Sequence, residues 1–209
     1  MRKALIARPI ARNFINQNQI QEIADRRDEL RVQTVMRVAR IIADRDEGLV
    51  CVKNLSDTGA CLRLSIPVRL GEKLTLEMVE GEAISASIIW TDGRECGLRF
   101  DQSIDCAELL SRRTSSAERG ISRPLRLNIS KPAVVRSECG LLLAAVEDVS
   151  HRGMKIRHDG SLNKNMVVKV TLPSGLARSG VVRWSRGNIA GVLLLEPFCT
   201  DELGSSRAL

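Results

Sequence analysis

From Val32 onward the chain falls into apolar-rich runs of strand length, at 32–42, 49–55, 60–66, 73–79, 83–90 and 94–100, separated by Gly, Pro or Asp. Two of them alternate clearly. Leu74, Leu76 and Met78 are spaced by Thr75 and Glu77, and Ile84, Ala86, Ile88 and Trp90 by Ser85, Ser87 and Ile89. Successive side chains of a strand leave opposite faces, so period two predicts half-buried strands. Carried to the strand's end, the same count makes Trp90 a core plug. Thr91-Asp92-Gly93-Arg94 reads as a hairpin turn, and 105–113 as a short helix closing the end of the structure. Six short strands at this spacing predict a small barrel.

The plan then repeats. A shift of 94 positions maps Asn54 onto Asp148, Ser56 onto Ser150, Gly59 onto Gly153, Trp90 onto Trp184 and Gly97 onto Gly191. Leu74, Leu76, Ile88 and Leu98 fall in the same way on Val168, Val170, Val182 and Val192. One offset held over more than forty residues marks a tandem duplication, and Trp184 becomes a second core plug. The polar, unpatterned stretch 112–120 reads as the linker. Residues 1–25 open with Arg2, Lys3, Arg8 and Arg12 and lack a sustained apolar stripe, which predicts a basic tail.

Composition narrows the function classes. The longest apolar stretch, 141–146, is far short of the roughly 18 residues of a spanning helix, and the N-terminus lacks the apolar core of a signal peptide. A cytoplasmic protein without a membrane span is expected. Six cysteines include no C-x-x-C pair and the only histidines are His151 and His158; this predicts reduced thiols and no metal site. Neither histidine sits in a nucleophile–base cluster, so no enzyme and no cofactor are expected. A net charge of +7 favours an anionic partner. With no tyrosine, three phenylalanines and two tryptophans, the chain lacks the aromatic platforms on which single-strand binders stack bases, and nucleic acid is not the expected partner.

Two stretches carry the candidate chemistry. Arg27 and Arg31 stand four apart just before the first apolar run, with Arg26 directly ahead of them. A guanidinium pairs bidentately with phosphate or with the O6/N7 edge of guanine, and stacks on a purine face. Asn54 and Ser56 end a strand-like run two residues apart, so both face one side and Leu55 the other. Gly59 follows, where it permits a sharp exit from the strand. Arg27-x-x-x-Arg31 with Asn54-x-Ser56-x-x-Gly59 resembles the signature of the PilZ family of bacterial cyclic di-GMP receptors, and Trp90, Gly97 and Phe100 fall where that family's late strand pair would have them.

The resemblance implies an all-β chain of two tandem six-stranded PilZ-like barrels, each with a short C-terminal helix. The first domain spans 26–111 and the second 121–209. It implies cyclic di-GMP as ligand: Arg27 and Arg31 on phosphate and guanine, Asn54 on a guanine edge, Ser56 near phosphate, Gly59 clearing the approach, and Arg26 stacking on a further base. An unidentified downstream protein would read the bound state. In the second copy Asp148, Ser150 and Gly153 keep the turn, but aligning Arg126 with Arg31 puts Ser122 where Arg27 should be, while Arg119 and Arg123 would form a displaced pair. The implied site is therefore in the first copy, with Asp148, Ser150, Gly153 and Arg126 as weaker candidates. A ligand-free adaptor of the same fold is the alternative, and a nucleic-acid-binding barrel comes third.

Overall fold

The computed structural model describes residues 35–111 and 124–209. The tail, the linker and the segment carrying Arg26, Arg27, Arg31, Arg119, Ser122 and Arg123 lie outside the described residues.

Twelve strands form two closed six-stranded antiparallel barrels. The first contains β1 (Arg37–Ala43), β2 (Glu47–Ser56), β3 (Gly59–Arg63), β4 (Lys73–Glu77), β5 (Ala83–Thr91) and β6 (Glu95–Phe100), in the order β1-β2-β3-β6-β5-β4, and pairing of β1 with β4 closes it. The second repeats this with β7 (Leu127–Ser137), β8 (Gly140–Ser150), β9 (Gly153–Arg157), β10 (Val167–Thr171), β11 (Ala177–Arg186) and β12 (Ile189–Leu194), closed by β7 with β10. The inward residues of the alternating runs, among them Ile41, Val52, Leu62, Leu76, Ile88 and Leu98, fill the first core. Their counterparts, including Val135, Val146, Ile156, Val170, Val182 and Val192, fill the second.

The duplication extends to irregularities. β2 is bulged between Val52 and Asn54 and β8 between Val146 and Asp148. β5 is bulged between Ile88 and Trp90 and β11 between Val182 and Trp184. A bulge inserts one extra residue and re-aims the side chains beyond it. Trp90 and Trp184 are consequently not core plugs: they stand on the outer surface, 43% and 40% exposed. Each ring lies across a glycine of the neighbouring strand. A Cβ on Gly97 would come within 1.9 Å of Trp90 Nε1, and one on Gly191 within 2.2 Å of Trp184 Nε1.

Residues 106–111 are helical, and Asp57 Oδ1 accepts a hydrogen bond from Cys106 N at 3.1 Å at the start of that turn. The expected helix after the second barrel is replaced by turns over 200–208. Gly204, Ser205 and Ser206 are weak helix formers, and their backbone is used elsewhere: Leu49 N donates to Leu203 O at 2.8 Å and Ser206 N to Glu47 O at 2.7 Å.

This C-terminal segment lies on the outer face of β1–β2, which joins the barrels. Leu49, 1% exposed, belongs to the core cluster of the second barrel together with Leu203 and Leu209, and Val38 packs against it. Around this apolar contact Arg40 donates to Glu77 Oε2 through Nε and Nη2 at 3.0 and 2.6 Å and to Arg126 O at 2.9 Å, while Asn128 N donates to Glu47 Oε1 at 2.6 Å.

Candidate functional site

The Asn54–Gly59 motif is the end of β2, a tight connection, and the start of β3. Leu55 is 1% exposed and points into the core, so Asn54 and Ser56 both face outward, as period two requires. The β2 bulge just before them leaves Asn54 fully on the surface. Ser56 Oγ accepts from Gly59 N at 3.1 Å and donates to Gly59 O at 3.2 Å, which pins the connection. The far side of the loop is fixed as well: Phe100 N donates to Thr58 O at 2.8 Å and Ile104 N to Asp57 O at 2.9 Å. The second copy holds its loop by the equivalent bonds, Leu194 N to Arg152 O at 3.0 Å and Phe198 N to His151 O at 2.8 Å.

Gly59 serves a purpose other than the expected strand exit. Its φ is not among the positive values; instead a Cβ there would stand 2.2 Å from Leu98 O. Only a residue without a side chain lets β3 lie that close to β6.

The register assembles the rest of the surface. One outward row runs Asn54, Cys61, Gly97, Trp90 across β2, β3, β6 and β5; the next runs Ser56, Gly59, Arg99, Ser87, Lys73 and reaches β4. Asn54 and Ser56 stand on one side of Gly59 and Arg99 on the other, while Gly97 is buried beneath the Trp90 ring. Cys61 stays a neutral thiol, since burial and the nearby Glu95 push its pKa up. Lys53, beside Asn54, is committed to Glu95 at 2.7 Å. Trp90 and Arg99 were not among the expected site residues. The signal for Trp90 was the Trp–Gly pair seven residues apart in both copies, because a glycine opposite a tryptophan marks a ring lying flat on its neighbour.

A family model described as PilZ domain matches residues 25–114. The first barrel belongs to a PilZ domain. Solved structures similar to the whole chain include PlzA of Borreliella burgdorferi in complex with c-di-GMP (8% identity, TM-score 0.37, 86% of this chain and 92% of that one). Another is the inhibitor of motility MotI/DgrA of Bacillus subtilis (10%, TM-score 0.33, 82% and 90%). A third is Escherichia coli YcgR in complex with c-di-GMP (12%, TM-score 0.26, 88% and 83%). No curated protein matches the chain.

Beside this PilZ domain, the second barrel shows the same surface with altered chemistry. Its rows read Asp148, Lys155, Gly191, Trp184 and Ser150, Gly153, Leu193, Val181, Val167. Arg126 Nη1 donates to Asp148 Oδ1 at 2.6 Å, and Lys155 Nζ lies 2.8 Å from Glu147 Oε2. Ser150 is 1% exposed and donates to Gly153 O at 3.3 Å. Of the weaker candidates, Arg126 and Asp148 are thus brought together to satisfy one another, while Ser150 and Gly153 hold their hairpin as Ser56 and Gly59 hold theirs. Among the described residues no His, Cys, Asp and Glu side chains cluster as a metal site, and no helix is long and apolar enough to cross a membrane.

Proposed function

We propose that the chain is a cyclic di-GMP receptor whose first barrel holds the ligand and whose bound state is read by a protein partner. The observation that carries this reading is the outward pair Asn54 and Ser56 beside Gly59, in a PilZ domain that also has Arg27-x-x-x-Arg31 ahead of β1. The chemistry is matched. A guanine edge needs both a donor and an acceptor, which the Asn54 amide supplies. The phosphates need planar, charge-assisted donors, which Arg27 and Arg31 supply and Arg26 supplements by stacking. The exposed Trp90 ring, which lies across Gly97, offers a flat base an apolar surface. A dinucleotide held this way ties residues 26–31 to the Asn54–Gly59 hairpin and so presents a changed surface.

Calorimetric titration of the whole protein with cyclic di-GMP tests the reading. Micromolar or tighter binding that Arg27→Ala removes supports it. Arg31→Lys keeps the charge but loses the fork, and should weaken binding at least about tenfold, or ~1.4 kcal/mol. No heat up to about 1 mM, roughly 4 kcal/mol, would leave the chain as an adaptor acting through protein contacts alone.

A further inference from the structure

We infer that Arg99, backed by Lys73, is an additional phosphate-binding arm of the first barrel's site, engaging the dinucleotide from the β6 side of the Ser56–Gly59 hairpin. This rests on the reading above that the first barrel binds cyclic di-GMP.

Ser56 pairs with Gly59, Gly59 with Arg99, Arg99 with Ser87 and Ser87 with Lys73. Gly59 contributes no side chain and Ser56 Oγ is turned onto Gly59 N and O, so no side chain of β3 stands between the hairpin and Arg99 in this row. Neighbouring strands lie about 4.8 Å apart, which separates the β2 and β6 backbones by about 10 Å. That width leaves room for a phosphodiester beside the hairpin that Ser56 pins, within reach of the Arg99 guanidinium.

Arg99 is also uncommitted. It is exposed, and no carboxylate among the described residues lies within ion-pair distance of it, whereas Arg40, Arg126, Arg157 and Arg178 all have acidic partners. Its cross-strand neighbours, Gly59 and Ser87, bring no negative charge. Lys73 at the end of the row adds a second positive charge to the same stretch of surface, which lowers the cost of placing an anion there.

The duplication supplies an internal control. The same registers in the second barrel place Leu193 at the Arg99 position, Val181 at Ser87 and Val167 at Lys73. Leu193 and Val167 remain 43% and 62% exposed, so burial does not explain the apolar choice. The copy in which Asp148 neutralises Arg126 is also the copy without a basic row. The copy with a neutral Asn54 retains one. Arg99 and Lys73 are both replaced by apolar residues, the direction expected if this phosphate contact is confined to the first barrel.

The test is titration of the full-length chain with cyclic di-GMP at several salt concentrations, comparing the unaltered protein with Arg99→Leu, which installs the second copy's residue, and Arg99→Lys. Arg99→Leu should weaken binding at least tenfold and flatten the dependence of affinity on salt, because one phosphate contact is lost. Arg99→Lys should restore the salt dependence and part of the affinity. Thermal melts of both variants should match the unaltered protein, since the side chain is exposed. Binding by the unaltered chain with Arg99→Leu within twofold of it overturns the assignment of Arg99 alone. Absence of binding by the unaltered chain overturns this inference together with the receptor reading.

Discussion

Arg126 and Asp148 form an ion pair 2.6 Å long in the second barrel, at the place where the first barrel carries the neutral Asn54. Asp148 thereby gives Arg126 an acidic partner within the second copy's own motif. The pair is partly exposed, with 40% and 14% of the two side chains accessible, so its worth to stability is below about 1 kcal/mol. Arg126→Ala and Ser150→Ala should leave cyclic di-GMP affinity within about twofold, while Ser56→Ala and Arg27→Ala reduce it severely. If residues 115–209 alone bind the ligand, through Arg119 and Arg123, this division of labour must be abandoned.

The motif glycines differ in a way that separates folding from ligand binding. A Cβ on Gly59 meets the Leu98 carbonyl at 2.2 Å, whereas one on Gly153 finds nothing nearer than Val192 O at 3.2 Å. Backbone cannot swing aside as a flexible side chain does. Gly59→Ala should destabilise the first barrel by about 2 kcal/mol and Gly153→Ala the second by under about 1 kcal/mol, judged by the usual penalties of overpacking. Equal losses in denaturant titrations would mean that strand spacing is not what requires Gly59.

The limits of the sequence lie at particular residues. The alternation in 74–78 and the shared offset of the two copies marked the strands and the duplication, because buried and exposed faces of a strand must differ in chemistry. The side of the barrel on which Trp90 emerges was hidden, since the bulge after Ile88 resets the count and bulges leave no mark in hydropathy. The place of Arg99 beside Gly59 is set by cross-strand register, a long-range fact that no local pattern carries. Leu49 reads as core of its own barrel and is instead core of the other, a choice made by the C-terminal segment that covers it. Asn54 and Ser56 were legible because their relation is local.

Trp90 offers an optical handle. It stands in the outward row of Asn54, while Trp184 occupies the equivalent place in the row of Asp148, which pairs with Arg126. Cyclic di-GMP should alter the intrinsic fluorescence of the unaltered protein and of Trp184→Phe, and leave that of Trp90→Phe unchanged. A ligand response that follows Trp184 would move the site to the second barrel.

Glu47, at the junction of the barrels, should respond to pH. Burial raises its pKa from the usual 4.5, against the opposing pull of Asn128 N–H and Arg40. A carboxyl whose folded pKa is raised contributes its stability below the unfolded pKa and loses it as pH rises through the folded value. Glu47→Gln never ionises and keeps an oxygen for Asn128, so it should melt at or above the unaltered protein at pH 8. That advantage should shrink as pH falls toward about 4.5, the unfolded value. A lower melting temperature for Glu47→Gln at pH 8 would show that attraction to Arg40 outweighs the cost of burial.

The junction itself can be tested by cutting the chain within 112–120. Each barrel closes on itself through β1–β4 or β7–β10 pairing, so each half should keep a β-rich circular dichroism spectrum once separated. They should not separate readily. Leu49 is 1% exposed within the second barrel's core cluster, which stabilises the contact by roughly 2 kcal/mol, and Leu203 O accepts from Leu49 N while Ser206 N donates to Glu47 O. The cut protein should therefore elute as one species in size-exclusion chromatography, and the same cut in Leu49→Asp should release two folded fragments, because a carboxylate at that position would be buried without a partner. Fragments that part without the substitution would show the apolar junction to be too weak to couple the barrels, and fragments that unfold on parting would show that neither barrel stands alone.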